Sequence, residues 1–168
     1  ARVPGLARIG LSSLDPADVT PRLLDVFAEY SNIMPHLHLS LQAGSDAILH
    51  RMNRPYTADD FRAKIDLVKS RLDRPALTTD IIVGFPSETD ADFEQTVALA
   101  REVGFAKMHV FPFSPRKGTA AARMQDKVPS KVIKERSKIL RALDQKPQHR
   151  FRSQFLGETA QVLIESTD

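Results

Sequence analysis

Residues 36–42, His-Leu-His-Leu-Ser-Leu-Gln, alternate strictly between apolar and polar positions. That is the period of a strand with one buried face. Three more stretches read as strands: 8–13 (RIGLSS), 77–83 (LTTDIIV) and 107–113 (KMHVFPF). Helix signals fill the gaps between them. Thr20 and Pro21 supply an N-cap and an N1 proline for a helix over 21–31. Thr57 with Asp60, and Thr89 with Asp92, have capping-box spacing for helices over 58–70 and 90–103, with Gly104 closing the second. Pro35 ends a connection, and Ser45 is a candidate cap within the turn 43–46. Residues 114–121 read as a loop. Ser130 is placed to cap a long helix over 131–146, where Pro147 predicts a break or a kink. A fifth strand, 159–165 (TAQVLIE), stands in a different context.

The first four strands recur every ~30–40 residues with a helix in each interval, the rhythm of βα units in a parallel sheet. The apolar runs at 81–83 and 108–111 suit strands buried on both faces. A doubly wound open sheet and a piece of a (β/α) barrel both fit. In either, ligands sit beyond the C-terminal ends of the strands.

Composition adds a boundary and an asymmetry. The 168 residues are enough for one domain with a core, and no apolar run approaches the ~20 residues of a membrane span. The opening residues lack a signal-peptide layout, and the absence of a starting Met reads as a fragment or a processed chain. The expected location is cytoplasmic. There is no cysteine, which excludes disulfides and any cysteine-ligated zinc or iron–sulfur site within this chain. Charge is uneven: residues 116–152 carry 12 Lys and Arg against 3 Asp and Glu. Such a segment is either a solvated helix face or a surface for a polyanion such as nucleic acid.

The strand ends carry hydroxyls, amides and small residues: Ser12, Ser13 and Asp15; Gln42, Gly44, Ser45 and Asp46; Gly84, Pro86 and Glu88; Pro112, Ser114, Arg116 and Gly118. These groups suit a polar small molecule, with glycines letting backbone approach it. GxGxxG, P-loop and GxSxG patterns are all absent. Asp80 enters an apolar strand, so its carboxylate needs a partner, either a ligand or neighbouring backbone. His36 and His38 share a strand face, but spacing suggests no third ligand, so no metal site is expected. His109 reads as a hydrogen-bonded interior residue, and the acids of 88–94 as helix N-terminal charges.

Four strings, HLHLSLQAGSDAILHRMNRPYT (36–57), TTDIIVGFPSETDADF (78–93), KMHVFPFSPRKGTAAARM (107–124) and FLGETAQVLIE (155–165), resemble the methylthiotransferase family of radical S-adenosylmethionine (SAM) enzymes. The resemblance covers nearly the whole chain in order. The block 107–119 and the segment 128–143 look most like the branch that modifies threonylcarbamoyladenosine in tRNA. The other branches act on isopentenyladenosine in tRNA and on a ribosomal protein. A reading of another class, a non-catalytic βα module for nucleosides or RNA, stays open.

The resemblance implies an α/β fold, a partial (β/α) barrel of which this chain holds the last four βα units (1–153), followed by the first strand of a truncated TRAM β-barrel domain (154–168). It implies SAM and two [4Fe–4S] clusters in the full-length protein. None is ligated by this cysteine-free chain, which alone is expected to be inactive. The implied reaction adds a methylthio group to C2 of the modified adenosine at position 37 after SAM cleavage. Carried over residue by residue, Ser13, Gln42, Ser45, Asp80, Gly84, Val110 and Arg116 line the SAM site. Arg54, Lys117, Arg123, Lys131 and Lys134 contact substrate or tRNA. No catalytic residue is assigned. Ser87 stands where the family most often has a second glycine, a mild departure unless that site demands a positive φ.

Overall fold

The structure, a computed structural model, describes residues 2–11 and 13–160. Its helices begin where the capping chemistry places them. Thr20 Oγ1 accepts the Leu23 N–H at the start of α1 (Pro21–Glu29). Both capping boxes form, at α3 (Ala58–Arg71) and α4 (Asp90–Val103), so two orphan N–H groups are satisfied at each start. Gly104 closes α4 with a φ of +66°, which a side chain would resist. A short α2 (Asp46–Arg51) starts at the last residue of the segment read as a turn, and a single turn α5 (Ala120–Arg123) starts at the end of the segment read as a loop. Thr119 caps α5, through a hydroxyl that accepts the Ala122 N–H.

Three strands, β1 (His36–His38), β2 (Ala76–Val83) and β3 (Lys107–Pro112), form a parallel sheet in the order β1-β2-β3. Sequential addition of parallel strands is the order of a barrel wall, though three strands do not close one. Where a strand is expected at 8–13, the described residues show one isolated parallel bridge, Ile9 to Ile33, and a second, Leu14 to Leu39, just beyond it. This stretch lies at an edge of the described sheet and is held from one side only.

The strand expected over 36–42 keeps its alternation but not its ladder. His38 pairs with Thr78 and Gln42 with Ile81, so four steps on one side face three on the other, a bulge. Thr79 fills the gap. Its hydroxyl donates to Leu39 O at 2.6 Å and accepts the Leu41 N–H at 3.0 Å. A fully buried side chain thereby pairs backbone groups that the ladder would otherwise leave unmatched.

β2 alternates in burial along its whole length. Leu77, Ile81 and Val83 join Leu37, Leu39, Leu41 and Met108 in the core with Phe61, Ile65, Phe93 and Leu99 of α3 and α4. The opposite face, with His36, His38, Thr78, Asp80, Ile82, His109 and Phe111, is open. The reading of strands buried on both faces is therefore corrected, because no layer covers this side among the described residues.

The last helix, α6 (Ser130–Ser153), is longer than expected and contains Pro147 without ending there. Proline removes one N–H from the helix ladder. Here Leu140, Leu143 and Asp144 hold the preceding turns against the core and β3. The N-cap is Pro129, not Ser130. No described helix is long and apolar enough to cross a membrane. From residue 161 on, the expected strand 159–165 lies outside the described residues.

Candidate functional site

The C-terminal ends of β1 and β2 meet at Gln42. Its N–H donates to Asp80 O and its carbonyl accepts the Ile82 N–H, both at 2.9 Å. The Ala43 N–H turns back to Leu41 O at 2.8 Å, and Gln42 holds a φ of +64°. A three-residue turn with positive φ at a non-glycine residue is strained backbone of the kind that gathers at functional sites.

The glycines beside it admit close neighbours from within the chain. A Cβ on Gly44 would lie 2.6 Å from Thr96 Cα and 2.8 Å from Gln95 O, so this glycine admits the backbone of α4. A Cβ on Gly84 would run into Ile133 Cγ1 and Cδ1, so this one admits α6, at a φ of +78°. Ser45 makes no side-chain cap bond to α2. It is buried, and its hydroxyl donates to Asp92 Oδ1 at 2.5 Å. Burial pushes the Asp92 carboxyl up, but hydrogen bonds from Ser45 and Thr89 and the Arg51 charge outweigh it and hold the group below the usual range.

Glu88 is the residue the sequence misassigned. It is not a helix-terminal surface acid, because its side chain is only 2% exposed. Its Oε2 accepts the Gly84 N–H at 2.8 Å and the Arg136 Nη1–H at 2.5 Å. Arg136 also donates to Asp90 at 2.6 Å and lies over the Phe93 ring at 5.3 Å. Burial is the largest influence on Glu88 and raises its carboxyl above the ordinary value, against the opposing pull of Gly84 and Arg136. Its place four residues after a strand-end glycine was a local signal. Arg136, 48 residues away, was not findable from spacing.

The departure at Ser87 proves to matter. Ser87 has a φ of +68°, held by its N–H to Asp126 O at 2.7 Å. Left-handed backbone costs an L-residue about 1–2 kcal/mol, while glycine adds about 0.5–1 kcal/mol of unfolded-state freedom. Ser87→Gly is therefore expected to stabilise the chain by about 0.5–1 kcal/mol in urea unfolding, and a loss of stability would show that the Ser87 hydroxyl's bond to Asp126 Oδ2, 3.2 Å, outweighs the strain.

On the open face, His36 Nε2 and His38 Nδ1 each lie 3.0 Å from Thr78 Oγ1. One hydroxyl hydrogen serves at most one of them, so at least one imidazole donates. Burial, then the neighbouring His38, lowers the pKa of His36. His38 Nε2 is buried without a hydrogen bond, 3.4 Å from Asp80 Oδ2. Asp80 thus faces His38 on the open side. His109 is exposed rather than interior, its ring 6.0 Å from that of His38. Among the described residues no group of three or more His, Asp or Glu is placed to hold a metal ion.

The remaining candidates are scattered. Arg54 is half-buried, with an Nε that has no partner, near Tyr56. Burial pushes the Tyr56 hydroxyl up to about 12, and it donates to Ser40 O at 2.7 Å. Val110 lies on the core side of β3, and its carbonyl accepts from Arg141 at 3.3 Å. Ser13, Arg116, Lys117 and Arg123 are exposed. Lys131 and Lys134 are exposed on α6 and share a ridge with Lys138 and Arg141, opposite the face that carries Ile133, Arg136 and Leu140. A groove of about 930 Å³ between α4 and α6 reaches Leu77 and Ala106 at the opposite, N-terminal end of the sheet.

Residues 4–100, more than half the chain, match the model of the radical SAM superfamily. The chain is 43% identical over 164 residues to a threonylcarbamoyladenosine tRNA methylthiotransferase (MtaB) of Thermotoga maritima, covering 98% of this chain and 38% of that protein. It is 44% identical over 160 residues to a tRNA-2-methylthio-N(6)-dimethylallyladenosine synthase of Geobacillus thermodenitrificans, covering 95% of this chain and 31% of that protein. The chain thus spans about a third of the length of these relatives. Among solved structures, the radical SAM enzyme coproporphyrinogen III oxidase (HemN) of Escherichia coli superposes with a TM-score of 0.67 at 18% identity, covering 83% of this chain and 32% of that one. At that identity the likeness concerns the fold alone.

Proposed function

Because the chain belongs to the radical SAM superfamily, we propose that it is part of a tRNA methylthiotransferase. In this reading residues 1–153 are the last four βα units of the partial barrel, and 154–168 begin a TRAM domain. The observation that carries it is identity above 40%, over almost the whole chain, to two tRNA-modifying enzymes. The substrate we assign is N6-threonylcarbamoyladenosine at position 37, on the strength of the block His109-Val-Phe-Pro-Phe-Ser-Pro-Arg-Lys-Gly-Thr119. The isopentenyl-type (dimethylallyl) branch is the second reading, favoured by the comparable identity of the Geobacillus enzyme.

The open face suits an adenosine. Phe111, half exposed, stands beside its register partner Ile82 and offers an apolar platform. Asp80, in register with His109 and next to His38, offers a carboxylate acceptor. The unpartnered Arg54 Nε is a donor for a carboxylate. SAM, when bound, supplies the radical and methyl-transfer chemistry. With no cysteine, this chain offers an iron–sulfur cluster no thiolate. Its own share is to bind, orient and exclude water.

The test is to express the full-length protein in a host lacking both tRNA activities and to digest the tRNA and, separately, the ribosomal proteins for mass spectrometry. A methylthio group on threonylcarbamoyladenosine is expected. Its appearance only on isopentenyladenosine would reverse the branch, and its appearance on a ribosomal protein would change the substrate class.

The ridge on α6 is the proposed tRNA contact. Each neutralised phosphate contributes about 0.7–0.9 to the slope of log affinity against log salt. Replacing Lys131, Lys134 and Lys138 together with alanine is expected to lower that slope by about 2–3 for an anticodon stem-loop. An unchanged slope would place the RNA elsewhere.

A further inference from the structure

We infer that Glu88 and Arg136 are a positioning pair through which RNA held on the outer ridge of α6 sets the geometry of the hydrogen-bonded turn Gly84–Glu88 that follows β2, here called the mouth. The inference rests on the proposed reading of α6 as the RNA contact and of the strand ends as the cofactor side.

Helix α6 has two opposed working faces. The outer one carries Lys131, Lys134 and Lys138, all exposed and none in an ion pair among the described residues, with Arg141 at its edge beside β3. The inner one carries Ile133, whose Cγ1 and Cδ1 fill the space in front of Gly84, and Arg136, which is 5% exposed. Lys134 lies between these two in sequence, so a phosphate seated there and the mouth contacts share one helical turn.

The inner contacts reach the loop that follows β2 at several points. Arg136 donates to the carboxylate and to the carbonyl of Glu88. That carboxylate in turn holds the Gly84 N–H. The loop is already closed upon itself by Glu88 N–H to Phe85 O at 2.9 Å. A shift of α6 therefore moves Gly84 through fixed hydrogen bonds rather than through a flexible connection. Arg141, at the edge of the ridge, also donates to Val110 O, so β3 is attached to the same helix.

Linkage makes the effect reciprocal: what steadies the mouth strengthens RNA binding, and the reverse. The test uses the full-length protein with an anticodon stem-loop RNA as probe. Hydrogen exchange is followed at the Gly84 amide, and RNA binding is read in the same samples by fluorescence polarisation. Saturating RNA is expected to slow Gly84 exchange by about 5-fold or more, the lower end of ordinary coupling. Glu88→Gln and, as a milder change in packing, Ile133→Val are expected to bind RNA with the same salt dependence while losing most of that slowing. A merely structural pair would alter Gly84 exchange equally with and without RNA. If RNA binds and Gly84 exchange does not change, the inference alone is overturned. If RNA does not bind the protein at low salt, the reading of α6 fails and the inference fails with it.

Discussion

Replacing Arg136 with methionine is expected to cost about 3–5 kcal/mol at pH 7, the ordinary penalty for leaving half of a buried ion pair behind. Both side chains are almost wholly enclosed, Arg136 at 6% and Glu88 at 2% exposure. Methionine fills much of the volume, so the loss is electrostatic rather than a cavity. It also has a pH signature. Burial raises the folded-state Glu88 carboxyl above its ordinary 4.5, while Gly84 and Arg136 pull it down. An acid raised in the folded state favours folding most below its unfolded pKa, and that contribution is lost as pH rises through the folded value. Removing Arg136 removes a downward pull and widens the window. The deficit of Arg136→Met should therefore be smaller at a pH below 4.5 than at pH 7. Urea unfolding at both values decides it, and an equal deficit at the two would mean that the pair's charge contributes nothing.

Gly44→Ala is expected to cost about 2–3 kcal/mol, the range for overpacking a site that cannot yield. Unlike Gly84, Gly44 carries no positive φ, so the effect is steric alone. The new methyl would meet Thr96 Cα at 2.6 Å and Gln95 O at 2.8 Å, which are backbone atoms of α4. Moving α4 away also strains the Gly44 N–H bond to Thr96 Oγ1 at 2.9 Å. Gly10→Ala is the control, since nothing lies within 4 Å of its added Cβ, and it should stay within about 0.5 kcal/mol of the parent. If the two variants unfold at the same urea concentration, the close approach of α4 is not what Gly44 provides.

What could be read in advance was local. Thr57 with Asp60 and Thr89 with Asp92 specify their helix starts because a cap and its reciprocal partner lie three residues apart. The alternation of 36–42 survives as burial even where the ladder fails. Its failure was not legible, because the bulge depends on a hydroxyl from another strand, that of Thr79. Of the strand-end glycines, Gly44 and Gly84 admit close neighbours, while Gly118 has nothing within 4 Å of an added Cβ. A glycine in a sequence announces space without saying what enters it, and here α4 and α6 enter.

Sequence alone determined the α/β rhythm, the helix starts, the concentration of cations in 116–152, the lack of thiolates and the strings that point to the radical SAM superfamily. These rest on residue types and short spacings, which act through local hydrogen bonding and composition. Only the tertiary structure decided which strand face stays open, where Asp80 meets His38, why Ser87 is strained, and that Arg136 holds the Gly84–Glu88 mouth. Those pairings join residues tens of positions apart, and they exist only once the packing of α4 and α6 on the sheet has excluded water and brought the partners together.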